Sequence, residues 1–114
     1  MQTPTTMIDR EIETLRAQIH GTVLVPGDDG YDAARQVFPG DIDRHPAVIV
    51  RAADAADVGR AIAFARDAGL ELAVRSGGHS AAGYSTTDGG LVIDLRGLDE
   101  ITIDPEARTA WAGA

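Results

Sequence analysis

The residues best equipped for chemistry in this sequence are Ser76-Gly77-Gly78-His79-Ser80. Five consecutive backbone N–H groups, two of them on glycines able to take positive φ, can curl into an anion-binding nest. The imidazole among them offers a nucleophile or proton carrier near neutral pH. Gly78-His79-Ser80 also matches the opening of G-x-S-x-G, the elbow that exposes a nucleophilic serine between strand and helix. That pattern fails at its last position, where Ala82 stands and the glycine comes at 83, and "YSTTDGG" reads as loop, not helix. Neither the Walker pattern nor G-x-G-x-x-G is present. His20, His45 and His79 lack ligand-like spacing, so no metal site is expected.

The elements around this stretch explain where it sits. "AVIVR", 47–51, and "ELAVR", 71–75, are apolar, β-branched runs that predict strands. Between them Asp54 and Asp57 make a capping-box-like start, Val58, Ile62 and Ala65 line an inner face, and Gly69 ends the helix. Strand, helix and strand within about thirty residues predict a parallel, right-handed βαβ crossover. The loop carrying His79 therefore opens at a strand's carboxyl end, where α/β proteins tend to bind ligands. "GGLVIDL" predicts a further strand, and "ITIDPEARTAWAG" a hairpin turning at Asp104-Pro105, with Trp111 anchoring its return strand.

Ahead of this unit, Ile8, Ile12, Leu15 and Ile19 mark one face of a helix that Thr5 or Thr6 can cap. His20 is placed in its last turn, where a cation is mildly favoured. "TVLVP" is a short apolar run. "GDDGYDAARQVFPG" offers Asp28 or Asp29 as cap for one or two helical turns that end before Pro39. Two parts are expected: a helical lead-in over 1–42 and a main unit over 43–114.

Composition removes several function classes. The 114 residues carry a formal net charge of -8, and all ten cations are arginine. An acidic chain without a basic cluster is not expected to bind nucleic acid or an anionic membrane surface. With no cysteine there is no thiolate metal site and no cysteine nucleophile. The N-terminus lacks the pattern of a signal peptide and no run approaches membrane-spanning length, so a cytoplasmic protein is expected. The final residues still read as sheet, which predicts the front part of a longer chain.

The run "VRSGGHSAAGYSTTDGGLVIDLRGLDEITIDPEARTAWAGA" resembles the first half of a PCMH-type FAD-binding domain, specifically that of the berberine-bridge-enzyme-like FAD-linked oxidases. "RHPAVIVRAADAADVGRAIAFARDAGLELAVRSGGHS" is similar to that family's opening βαβ unit, and "PGDDGYDAARQVFPGDIDRHP" to its lead-in. The resemblance implies an α+β, PCMH-type FAD-binding fold, truncated to its N-terminal half, that opens with a βαβ unit followed by a β-hairpin.

It also implies roles. Arg75, Ser76, Gly77, Gly78 and Ser80 correspond to the loop that wraps the FAD pyrophosphate through backbone amides, and Gly83 and Tyr84 continue it. His79 corresponds to the histidine joined covalently to the 8α-methyl carbon of the flavin. Loss of a proton makes that carbon electrophilic, and neutral imidazole can attack it. Arg75 adds positive charge or makes a structural ion pair, and Asp94 is given a structural hydrogen-bonding role. Ala81-Ala82 replaces a bulkier, more polar pair in many members, and the cysteine that gives some members a second flavin link is absent. The family's second Gly-rich stretch, substrate domain and catalytic base fall beyond the equivalent of Ala114.

The expected function is flavin-linked oxidation of a small organic substrate with molecular oxygen as acceptor, carried out with the remainder of the chain. The 114-residue piece alone is expected to be inactive. The alternative is a short, non-catalytic binding module that keeps the βαβ unit.

Overall fold

The computed structural model describes residues 7–37, 40–80 and 82–113. The proposed caps Thr5 and Thr6, and residues Pro39, Ala81 and Ala114, lie outside them. In chain order the elements are α1 (Met7–Gln18), β1 (Thr22–Leu24), α2 (Tyr31–Arg35), β2 (Val48–Arg51), α3 (Ala55–Ala68), β3 (Leu72–Arg75), β4 (Leu91–Asp94), β5 (Ile101–Asp104) and β6 (Thr109–Ala112).

β2, α3 and β3 form the expected crossover, but β2 and β3 do not touch. β4 lies between them, parallel to both, and β1 closes the other edge antiparallel to β2, giving the order β1-β2-β4-β3. The pleat sends alternate residues to opposite faces. Val23, Val48, Val50, Leu91 and Ile93 face α1 and α3 and pack with Ile12, Leu15, Ile19, Ala61 and Ala65. Leu24, Ile49, Ala73 and Val92 face α2 and pack with Tyr31 and Ala34. Val48, Ile49, Val50, Leu91 and Ile93 are fully buried, each contributing roughly 1.5–3 kcal/mol.

α3 starts and stops where the sequence predicts. Asp54 caps it by accepting the N–H of Asp57 at 2.8 Å, and Gly69 ends it at φ 69°. Its inner face differs: Ala61 is buried where Ile62 was expected, and Ile62 is 46% exposed. The i, i+4 row that faces the sheet runs through 57, 61 and 65, which turns position 62 outward. α2 is capped by neither aspartate. Gly30 precedes it at φ 86° without a side-chain cap bond, while Asp28 accepts from Val25 N–H and Arg16 instead.

β5 and β6 pair antiparallel as a separate two-stranded ribbon whose residues are all exposed. Trp111 is 78% exposed, so it does not anchor the strand: its ring lines an open groove and is not buried in a core. No described helix is long and apolar enough to cross a membrane.

Candidate functional site

The loop from Ser76 to Gly90 leaves the carboxyl end of β3 between two glycines that the geometry requires. A Cβ on Gly77 would stand 2.5 Å from the His79 ring, so the imidazole lies back across a residue that has no side chain. Gly78 is buried at φ 71°, and a Cβ there would come within 2.9 Å of the Arg75 guanidinium. His79 itself is exposed. No backbone hydrogen bond among the described residues uses the N–H of Gly77, Gly78 or Ser80. Amides left without a backbone acceptor beside two glycines have the chemistry to donate to water or to an anion.

Ser80 joins the two halves of the loop. Its carbonyl accepts the Gly83 N–H at 3.1 Å, and its hydroxyl accepts the Tyr84 N–H at 3.2 Å. Gly83 is buried at φ 81°, while the Tyr84 ring is 81% exposed. The residues given a cofactor role in the sequence, Arg75 to Ser80, Gly83 and Tyr84, thus lie in one loop or the strand end that feeds it.

Three arginines surround one buried carboxylate at this end of the sheet. Register places Arg51 and Arg75 on either side of Asp94. Asp94 accepts the Arg96 backbone N–H at 3.0 Å, the Arg96 Nη2 at 2.7 Å and the Arg51 Nε at 3.4 Å. Burial pushes its carboxyl up, but the Arg96 side-chain and backbone bonds and the Arg96 and Arg51 charges outweigh that and hold it below the usual carboxylate range. The structural role read from the sequence for Asp94 has this basis. Among the described residues Arg75 makes no ion pair. Its guanidinium donates to the carbonyls of Ala34, at 3.3 Å, and Gln36, at the end of α2. Burial, with Arg96 and Arg51 nearby, lowers its pKa from the ordinary value, against the pull of Asp94.

The sequence did not point to Arg44. Its Nη1 donates to the carbonyls of Gly83, at 2.7 Å, and Thr86, at 3.3 Å, 39 and 42 residues further on. Contacts that distant leave no periodic signal. His45, read only as part of a connection, accepts the Gly89 N–H at its carbonyl and donates its N–H to Asp88 at 2.7 Å.

His20 lies just past α1, not in its last turn, and its Nδ1 is 2.6 Å from Asp54 Oδ2. With Asp57 these two form a group whose potential ligand atoms lie within 4.8 Å of one another. Asp57, however, spends its oxygens on the backbone N–H groups of His20, Gly21 and Ala53, each at 2.9 Å. Burial raises the Asp57 pKa, and these three bonds reverse the effect and leave it lowered. The donor set is that of a structural knot.

The family model described as FAD binding domain matches residues 46–114. The chain belongs to this family. It is 43% identical over 95 residues to (R)-6-hydroxynicotine oxidase of Paenarthrobacter nicotinovorans, covering 83% of this chain and 21% of that protein. It is 41% identical over 73 residues to Berberine bridge enzyme-like 9 of Arabidopsis thaliana, covering 62% and 14%. Among solved structures, the BBE-like 1 protein of Physcomitrella patens superposes with a TM-score of 0.79 at 29% identity, over 87% of this chain and 22% of that one. The 6-hydroxy-D-nicotine oxidase of Arthrobacter nicotinovorans gives 0.74 at 39% identity, over 91% and 20%. The chain therefore spans about a fifth or less of these relatives, and its fold is the N-terminal portion of a PCMH-type FAD-binding domain.

Proposed function

We propose that this chain forms the flavin-binding portion of an FAD-dependent oxidoreductase that oxidises a small organic substrate, with oxygen as electron acceptor and FAD attached through His79. The observation that carries the reading is the loop: unspent amides at Gly77, Gly78 and Ser80 lie beside an exposed imidazole, in a chain that belongs to an FAD-binding family. In this reading Ser76, Gly77, Gly78 and Ser80 present backbone N–H groups to the pyrophosphate, and the bare backbone at 77 and 78 makes room for the His79 ring and the Arg75 guanidinium beside them. Arg75 supports them from below, and Gly83 and Tyr84 form the outer half of the loop. The division into a 1–42 lead-in and a 43–114 flavin unit belongs to the same proposal.

Bound FAD would supply the electron-accepting chemistry. The chain's own contribution is to hold the cofactor and to offer the His79 imidazole as the nucleophile of the link. Substrate binding and proton removal are assigned to no residue here. Denaturing intact mass of the native gene product tests the reading. One flavin's added mass, absent in His79→Ala, is the expected result; an acid-resistant yellow His79→Ala protein would overturn the link, and a wild-type protein that binds no FAD would overturn the whole.

A further inference from the structure

We propose that Arg44 is a positioning residue for the flavin loop, acting from outside the 46–114 segment that the family model covers; the inference rests on the flavin reading above. A guanidinium presents a planar fork of donors, and here Nη1 holds two carbonyls of one turn, Gly83 and Thr86. Arg44 is half-buried and makes no ion pair among the described residues. A Cβ on Gly83 would lie 2.8–3.0 Å from its Nη2, Cζ and Nη1, so the bare backbone at 83 and the cation at 44 are one arrangement.

The carbonyls it holds lead directly to the open amides. Gly83 donates its N–H to Ser80 and accepts from Thr86 N–H at 3.3 Å. Ser80 carries the last of these amides and is the immediate neighbour of His79. Fixing Gly83 therefore fixes the position from which the imidazole and the open amides project.

Arg44 is itself held on both sides. Arg35 Nη1 donates to the Arg44 carbonyl at 3.3 Å and to the Asp43 carboxylate, while its Nε reaches Asp32 at 2.9 Å. His45 is tied to Asp88 and Gly89 at the far end of the loop. From the other side, Arg75 grips the carbonyls of Ala34 and Gln36 with its guanidinium beneath Gly78. α2 with Gln36, and the residues from Asp43 to His45, are a template against which both halves of the loop are set.

The test uses the full-length protein with Arg44→Met, Arg44→Lys and, as a control on α3's exposed surface, Arg66→Met. Two quantities are read: amide exchange at Gly83, Tyr84 and Thr86, and the rate at which added FAD becomes covalently bound. Misplacing a reacting group by an ångström can slow a reaction about a hundredfold. Arg44→Met should accelerate exchange and slow attachment roughly tenfold to a hundredfold. Arg44→Lys, which keeps charge but not the fork, should recover part of both, and Arg66→Met should match wild type. Should Arg44→Met fail to fold, the lysine variant carries the comparison. Unchanged exchange in the Arg44 variants, or faster exchange with wild-type attachment, overturns the positioning role alone. A wild-type protein that takes up no FAD overturns the flavin reading, and this inference with it.

Discussion

Two neighbouring corners at the same end of the sheet treat their backbone amides in opposite ways. Where β2 turns into α3, the N–H groups of Ala53, His20 and Gly21 all end on Asp57, an anion that the chain supplies from its own helix. Where β3 opens into its loop, the amides of Gly77, Gly78 and Ser80 end on nothing within the described chain. The same donors, at the same edge, are closed in one place and open in the other. A corner that consumes its donors is architecture, and in the function proposed above the corner that leaves them open receives a ligand from outside.

The largest expected effect breaks the closed corner. Asp57→Ala removes the acceptor of three amides at a fully buried position, and with at least about 1 kcal/mol for each stranded donor a loss of roughly 3 kcal/mol or more is expected. Urea denaturation monitored by far-ultraviolet circular dichroism measures it. Next comes acid. Asp57 and Asp94 are both held below the usual carboxylate range, so the unfolded chain takes up protons before the folded one. The stability they contribute is complete above about pH 4 and drains away as pH falls through their lowered native values. Unfolding free energy measured from pH 6 downward should drop steeply below about pH 4, with a shallower slope in Asp57→Asn.

Changes at the open corner should cost less stability and more function. Gly78→Ala forces a side chain into the left-handed region and against Arg75. About 1–2 kcal/mol is expected in the same denaturation experiment, with flavin content at purification falling further than stability does. His79→Ala is the smallest in stability, within about 0.5 kcal/mol because the side chain is exposed, yet it should abolish covalent flavin. If His79→Ala destabilised as strongly as Asp57→Ala, the contrast between the corners would be lost.

Local signals carried much of this fold. The Asp54 cap and Gly69 stop bracket α3 because both act within a few residues of the helix end. The strands at 48–51, 72–75 and 91–94 follow from their apolar runs, and the His79 loop from its residue order. What was illegible was long-range. Nothing in "GGLVIDL" says that it inserts between the two strands of the crossover. Nothing near Asp57 announces donors at positions 20 and 21, and nothing near Arg44 announces carbonyls at 83 and 86. Trp111 reads as a buried anchor because aromatic strand residues usually are, and only the exposed ribbon corrects it.

That ribbon gives the chain an optical probe. Its one tryptophan stands in water, so its emission should already be red-shifted in the folded state and change little when the sheet melts. A blue shift would instead report something settling over the β5–β6 ribbon. Fluorescence would follow that covering event separately from folding, which circular dichroism follows.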